Sequence, residues 1–228
     1  MLLAAGRSLR MGGGDKTTAT LAGLPVAAHS LRAFAACPQI DAIVLVAGPS
    51  NTALLQVLAR EHGGGKVTAV VPGGARRRDS VAAGLAALPA ADLIAVHDTA
   101  RPLVTPEMIS RGITLAAEHG AAIVAGPVSD TIKQIAPGAT DPAPILRTID
   151  RTTLRAAQTP QTFRRDLLHR AHDAHDDDAT DDAALVEALG APVVLYDAGG
   201  PNPKITRSAD LPVIEALLRA RTATPAPR

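Results

Sequence analysis

Met1-Leu2-Leu3-Ala4-Ala5-Gly6-Arg7-Ser8-Leu9-Arg10-Met11-Gly12-Gly13-Gly14-Asp15-Lys16 runs from a short apolar segment straight into a loop with four glycines, two arginines and a closing lysine. The apolar start reads as a strand, about four residues shorter than a typical central one. Glycines let backbone N–H groups turn toward an anion with no Cβ in the way, and the cations neutralise its charge. A strand feeding such a cradle is the opening of an α/β nucleotide-binding domain, and the mixture of N–H donors, Arg10 and Lys16 suits a triphosphate.

The pattern continues outward from that loop. Apolar runs at residues 1–5, 42–47, 66–71, 93–97 and 121–128 alternate with helix-period stretches at 25–36, 51–61, 79–87 and 106–119. This alternation predicts a Rossmann-like α/β fold, a mostly parallel sheet flanked by helices. Pro25 and Pro106 suit a first helical turn, and Thr105 suits a cap. After residue 128 the rhythm changes. Two β segments at 130–135 and 145–149 surround a turn with Pro137, Gly138, Pro142 and Pro144. They predict an inserted hairpin arm over about 129–151, which has too little core of its own and packs on a second copy as a homodimer. Helices near 164–172, 181–189 and 209–219 and a strand at 193–197 complete one domain, 1–219. The Pro/Ala/Thr-rich tail 220–228 reads as disordered.

Composition narrows the partners. The 228 residues are 46% hydrophobic with a net charge of +1, which gives no global field for nucleic acid or an acidic membrane. One tyrosine and two phenylalanines leave no stacking surface for single strands. No apolar run approaches the ~18 residues of a membrane helix, and the single cysteine, Cys37, excludes an intrachain disulfide. A soluble, cytoplasmic protein is expected.

Two standard nucleotide motifs fail. The Walker pattern requires glycine before its lysine, where this chain has Asp15. The dinucleotide fingerprint requires Gly-x-Gly-x-x-Gly and an acidic residue closing the second strand, where the chain has Ser8 and Ala47-Gly48. What matches is Ala4-Ala5-Gly6-x-x-x-Arg10-Met11-Gly12 with Lys16 behind it, which resembles the signature loop of nucleotide-sugar-type nucleotidyltransferases. Further motifs follow in order: Gly73-Gly74-Ala75-Arg76-Arg77-Arg78-Asp79-Ser80, Val96-His97-Asp98-Thr99-Ala100-Arg101-Pro102, Ser129-Asp130-Thr131-Ile132-Lys133, Ile149-Asp150-Arg151, Gln158-Thr159-Pro160-Gln161, Thr180-Asp181-Asp182-Ala183 and Lys204-Ile205-Thr206. Together, from Ala4 to about Leu218, they resemble the methylerythritol phosphate cytidylyltransferase family, the CTP-dependent enzymes of the non-mevalonate isoprenoid route.

The resemblance implies CTP and a small phosphorylated polyol as substrates, with Mg²⁺ held mainly by the triphosphate and Asp98 as its one protein contact. It implies catalytic roles for Arg10, Lys16, Arg151 and Lys204, and nucleotide contacts from Ala4, Ala5, Gly6, Gly74, Arg77, Ser80, Asp98 and Thr99. It assigns acceptor contacts to Asp98, Arg101, Thr131, Arg151, Lys204 and Thr206, with the arm residues reaching a neighbouring subunit. Three positions depart from the family pattern: Ser8 for a glycine, Asp15 for the proline before the lysine, and Thr99 for a smaller residue near the ribose. The first loop also resembles that of molybdenum-cofactor cytidylyltransferases. Ribitol 5-phosphate or molybdenum-cofactor transfer, and a non-catalytic nucleotide-binding relative, are the competing readings. His97 reads as a packed, hydrogen-bonded residue, since attack by a phosphate needs no protein base. His169, His172 and His175 with Asp176–Asp178 read as a solvated connector rather than a zinc site.

Overall fold

The computed structural model describes residues 1–6, 15–176 and 179–223. The α/β reading holds. In chain order the elements are β1 (Leu2–Ala4), β2 (Thr20–Leu21), β3 (Leu24–Pro25), α1 (Val26–Ala36), β4 (Ile43–Ala47), α2 (Thr52–His62), β5 (Val67–Pro72), α3 (Arg77–Ala87) and β6 (Leu93–Asp98). There follow α4 (Pro106–His119), β7 (Ala121–Pro127), β8 (Ile132–Gln134), β9 (Arg147–Ile149), β10 (Arg155–Arg164), α5 (Arg165–Ala174), α6 (Asp182–Ala188), β11 (Val194–Tyr196) and α7 (Asp210–Ala223). The last helix therefore continues four residues past the boundary expected at Arg219.

Among the described residues seven strands form the main sheet, in the order β11-β7-β10-β6-β1-β4-β5. β1 lies parallel to both β4 and β6, so the direction of winding reverses at β1. A crevice opens at such a switch point, beyond the carboxyl ends of the strands. All five residues of β4 are buried, as a parallel strand with helices on both faces requires. Leu2, Leu31, Phe34, Leu45 and Ile109 fill one face of the sheet. Val44, Val46, Ile94, Val96, Phe163 and Leu168 fill the other.

One central element has no counterpart in the periodicity. β10 runs antiparallel between β6 and β7. Pro160 argues against a central strand because it has no N–H for the ladder. The strand accommodates it where the register with β7 shifts, between Ala157 and Gln161. The irregularity thus places the N–H-free residue where the ladder is already interrupted. The hairpin arm is present: β8 pairs antiparallel with β9, Ile132 opposite Ile149. Thr105 caps α4 by accepting the Met108 N–H, with Pro106 in the first turn.

Candidate active site

The loops leaving β1, β5 and β6 enclose a cleft of about 300 Å³. The first loop contributes Ala4, Ala5, Gly6 and Lys16 to its lining, and the turn into α3 contributes Gly74, Arg77 and Ser80. Asp98, Thr99 and Lys204 form the opposite wall. Ten residues assigned from scattered motifs thus converge on one hollow.

Close packing dictates the turn after β5. A Cβ on Gly73 would lie 2.3 Å from the Ala5 Cβ, and one on Gly74 would lie 2.2 Å from the Asp79 Cβ. No other residue fits there without moving the first loop or α3. The Ser80 hydroxyl accepts the Gly74 N–H at 3.1 Å, and the same oxygen lies 3.2 Å from the Arg76 carbonyl, to which it donates. Ser80 therefore shapes the turn as well as lining the cleft. Thr99 is fully buried and its hydroxyl donates to the Leu3 carbonyl at 2.9 Å. The extra hydroxyl relative to a smaller residue is thus engaged by β1.

Charge is concentrated at Asp98. Its Oδ2 lies 2.5 Å from the Lys204 Nζ, and its Oδ1 lies 4.0 Å from the Arg77 Nε. Burial pushes the Asp98 carboxyl up, but Lys204 and then Arg77 outweigh it and hold its pKa at about 2. Asp98 is an anion throughout the physiological range. Behind it, the Asp98 N–H donates to the Thr159 hydroxyl at 3.0 Å. That hydroxyl lies 3.0 Å from the His97 Nδ1, and the His97 Nε2 lies 3.3 Å from the Arg101 carbonyl. The Arg101 carbonyl can only accept, which assigns the neutral ring with hydrogen on Nε2 and the Thr159 proton donated to Nδ1.

Burial lowers the His97 pKa from 6.5 to about 3. The unfolded chain therefore binds this proton at a pH where the native protein excludes it, so stability falls as pH drops below about 6.5. Urea unfolding at pH 7 and pH 5 is expected to show that loss, with a shallower slope in His97→Gln.

A second buried charge supports Arg77. Its Nη1 lies 2.8 Å from the Asp182 Oδ2, and the other Asp182 oxygen lies 3.0 Å from the His172 Nε2. Burial works against the Arg77 charge, but Asp182 and then Asp98 more than compensate, raising its pKa. Of the arginine run, only Arg77 bridges the two carboxylates. Arg76 pairs with Asp79 and Asp176, while Arg78 pairs with Asp176 and donates to the His172 carbonyl.

His172 corrects the expectation of a solvated connector. It lies on α5 and is buried against Asp182. The sequence offers Asp181-Asp182 only as part of a family motif, with no role for either carboxylate. Asp181 does cap α6, accepting the Ala184 N–H at 3.0 Å, but Asp182 turns inward and is 1% exposed. Two adjacent carboxylates at a helix start differ in sequence by nothing that marks which one is buried.

The chain matches the family model of 2-C-methyl-D-erythritol 4-phosphate cytidylyltransferase over residues 1–220. The chain belongs to this family. The cytidylyltransferase of that name from Dehalococcoides mccartyi is 43% identical over 219 residues, covering 96% of this chain and 95% of the relative. That of Streptomyces avermitilis is 43% identical over 225 residues, covering 96% and 90%. Among solved structures, 4-diphosphocytidyl-2C-methyl-D-erythritol synthase from Anaerococcus prevotii superposes with a TM-score of 0.81 at 27% identity, covering 96% of both chains. The cytidylyltransferase of Thermus thermophilus superposes at 0.75 with 33% identity, covering 96% and 97%.

The remaining residues expected from the cytidylyltransferase motifs lie elsewhere or act indirectly. Arg10 lies outside the described residues. Arg101 is not part of the cleft lining; its Nη1 donates to the Asn202 carbonyl at 2.8 Å. Asn202 is buried and donates to the Thr159 carbonyl at 2.9 Å, while the Ile205 N–H donates to the Ala100 carbonyl at 2.8 Å. Arg101, Asn202 and Thr159 therefore brace the loop that presents Lys204. Thr206 is also outside the lining, its hydroxyl and N–H both donating to Asp210 at 2.9 and 2.7 Å. Thr131 and Arg151 sit on the exposed arm, away from this chain's own cleft, with Arg151 bonded to the Ser129 carbonyl. Neither Thr159 nor Asn202 was assigned a role from sequence, because buried hydrogen bonding gives no pattern along the chain.

Proposed function

We propose that this protein transfers CMP from CTP to 2-C-methyl-D-erythritol 4-phosphate. Family membership and the cleft at the switch point support the reading, and the single observation that carries it is the cationic hollow built by Lys16, Arg77 and Lys204 around Asp98. An oxygen of the acceptor phosphate attacks the α-phosphorus in line. A new P–O bond forms, the bond from the α-phosphorus to the α–β bridging oxygen breaks, and pyrophosphate leaves with that electron pair. The nucleophile is already an anion, so the site supplies charge and position rather than a base.

Lys16, and Arg10 by the motif, stabilise the negative charge that grows on the triphosphate as pyrophosphate leaves. A Cβ on Gly6 would meet no atom of the described residues within 4 Å, which leaves room for the nucleotide. Cytosine edges are read by backbone groups near Ala4, Ala5 and the Gly74 turn, which is why no aromatic shelf is needed. Arg77 and Lys204 are held in place by Asp182 and Asp98, and Lys204 exchanges part of its pairing with Asp98 for the acceptor phosphate.

Magnesium fits the donor set. No group of three or more His, Cys, Asp or Glu side chains capable of holding a metal occurs among the described residues. One ionised carboxylate, Asp98, beside a triphosphate is the set that magnesium takes in nucleotide enzymes. When bound it would neutralise phosphate oxygens, with Asp98 as its protein ligand. No described helix is long and apolar enough to cross a membrane, and a nucleoside triphosphate substrate with a free cysteine fits a cytoplasmic enzyme.

The arm supports a homodimer. Ile135, Ile145 and Leu146 are 43%, 60% and 60% exposed, next to where β8 ends and β9 begins. In a second copy they would be covered, and Thr131 and Arg151 would reach the neighbour's acceptor. Ile145→Glu with Leu146→Glu is expected to give a monomer by light scattering and to raise KM for the acceptor.

The deciding experiment is pyrophosphate release from CTP with each acceptor in turn. Turnover with methylerythritol phosphate is expected; turnover confined to ribitol 5-phosphate or molybdopterin, or CTP binding with no turnover, would overturn the assignment.

A further inference from the structure

Asp15 stands beside the lysine of a triphosphate site, where a carboxylate ought to repel the substrate. Its surroundings show what it does instead. Oδ1 accepts the Thr17 N–H at 2.9 Å and the Thr17 hydroxyl at 2.8 Å. Oδ2 accepts from the Asn51 Nδ2 at 2.7 Å and from the Ser50 hydroxyl at 3.1 Å. Each oxygen thus has two donors, and Asp15 is absent from the cleft lining to which its neighbours Lys16 and Thr17 both belong.

The far end of this clasp is rigid. Asn51 is 1% exposed, and its Nδ2, with two hydrogens shared among three acceptors, also lies 2.9 Å from the Ala4 carbonyl oxygen and 2.9 Å from the Thr17 hydroxyl. Its Oδ1 accepts the Gly48 N–H at 2.9 Å. One amide therefore joins the carboxyl ends of β1 and β4 to the turn carrying Lys16. On the other side, the Thr18 N–H and hydroxyl both donate to the Asp15 carbonyl, at 3.1 and 2.9 Å, and the Ala27 N–H donates to the Thr17 carbonyl at 3.0 Å. The backbone of Lys16 is fixed from both flanks, with Asp15 the member that ties it to the sheet.

We propose that Asp15 is a positioning residue that acts through Lys16. Clasped by Asn51, Ser50 and Thr17, it holds the lysine backbone at the sheet edge so that the ammonium meets the triphosphate. The clasp runs from Thr17 to Ser50 and Asn51, the two residues that lead into α2.

The inference rests on the cytidylyl-transfer reading, and a double-mutant cycle separates the two. Asp15→Ala leaves Asn51 bonded to Ala4, Gly48 and Thr17, so the fold is retained, checked by an unchanged gel-filtration profile and cooperative melting. In pyrophosphate release, Asp15→Ala is expected to lower kcat by about tenfold or more, as small misplacements of a charged group do. KM for the acceptor should stay within about twofold, because Lys204 is untouched. In a Lys16→Ala background the same change should alter kcat by less than about twofold, since residues acting as one unit are not additive. Wild-type kcat in Asp15→Ala, an equal rise in acceptor KM, or effects that multiply across the two sites would overturn the proposal. If the wild-type enzyme released no pyrophosphate with any acceptor, the function assignment would fall instead. The cycle would then be read in CTP binding by calorimetry, where Asp15→Ala must weaken affinity only while Lys16 is present.

Discussion

Replacing Lys16 by alanine is expected to lower kcat by about a hundredfold or more, with little change in KM for the acceptor. The lysine lines the cleft proposed to take the triphosphate, on a turn anchored to the sheet and to α1. A cation aimed at charge that develops only as pyrophosphate departs stabilises the transition state more than the ground state, so its loss appears in kcat. Removing one such preorganised group costs on the order of 3 kcal/mol of barrier in other enzymes. Arg10→Ala is expected to behave alike, because the first-loop sequence motif carries both cations. Steady-state pyrophosphate release measures both. Unchanged turnover in the two variants would remove the first loop from the chemistry and leave it as a binding element.

Asp182→Ala is expected to destabilise the fold by about 3 kcal/mol or more, the usual cost of leaving a buried charge without its partner. The carboxylate is nearly inaccessible and touches Arg77 on one oxygen and His172 on the other. Its removal leaves the guanidinium with Asp98, at 4.0 Å, as its ion-pair partner among the described residues. The expected result is a lower urea midpoint together with a raised KM for CTP. Asp182→Asn keeps an oxygen and an amide in the same volume and should lose less stability than alanine. A variant as stable as wild type would show that α6 contributes nothing to holding Arg77.

These two expectations differ in how visible their residues are along the chain. Lys16 is legible because it ends a glycine-rich loop directly after a strand, and anion binding by backbone N–H groups needs that local composition. Asp98, Arg77 and Lys204 are legible because each sits in a motif whose order matches a known family. Asp182 appears in such a motif too, yet its burial was hidden, since a capping carboxylate and a core carboxylate have the same neighbours in sequence. Thr159, Asn202 and the clasp at Asp15 were hidden for a related reason. Their partners are 61, 43 and 36 residues away, so nothing local announces them.

The fold shows the same division. Strands of the parallel layers are apolar on both faces and read directly as runs, and Thr105 and Pro106 mark a helix start by local backbone chemistry. β10 carries a proline and a polar half, so it became a central strand only because β6 and β7 left a place for it and a register shift absorbed Pro160. The sequence alone determined that this is an α/β nucleotidyltransferase with Lys16 at its first loop and a hairpin arm. Tertiary structure alone decided which carboxylate supports Arg77, that Arg101 and Asn202 brace the Lys204 loop, and that Asp15 turns from the cleft to Asn51. Local patterns set backbone conformation and composition, whereas pairing of buried charges and hydrogen bonds depends on which distant segments the sheet brings within 3 Å.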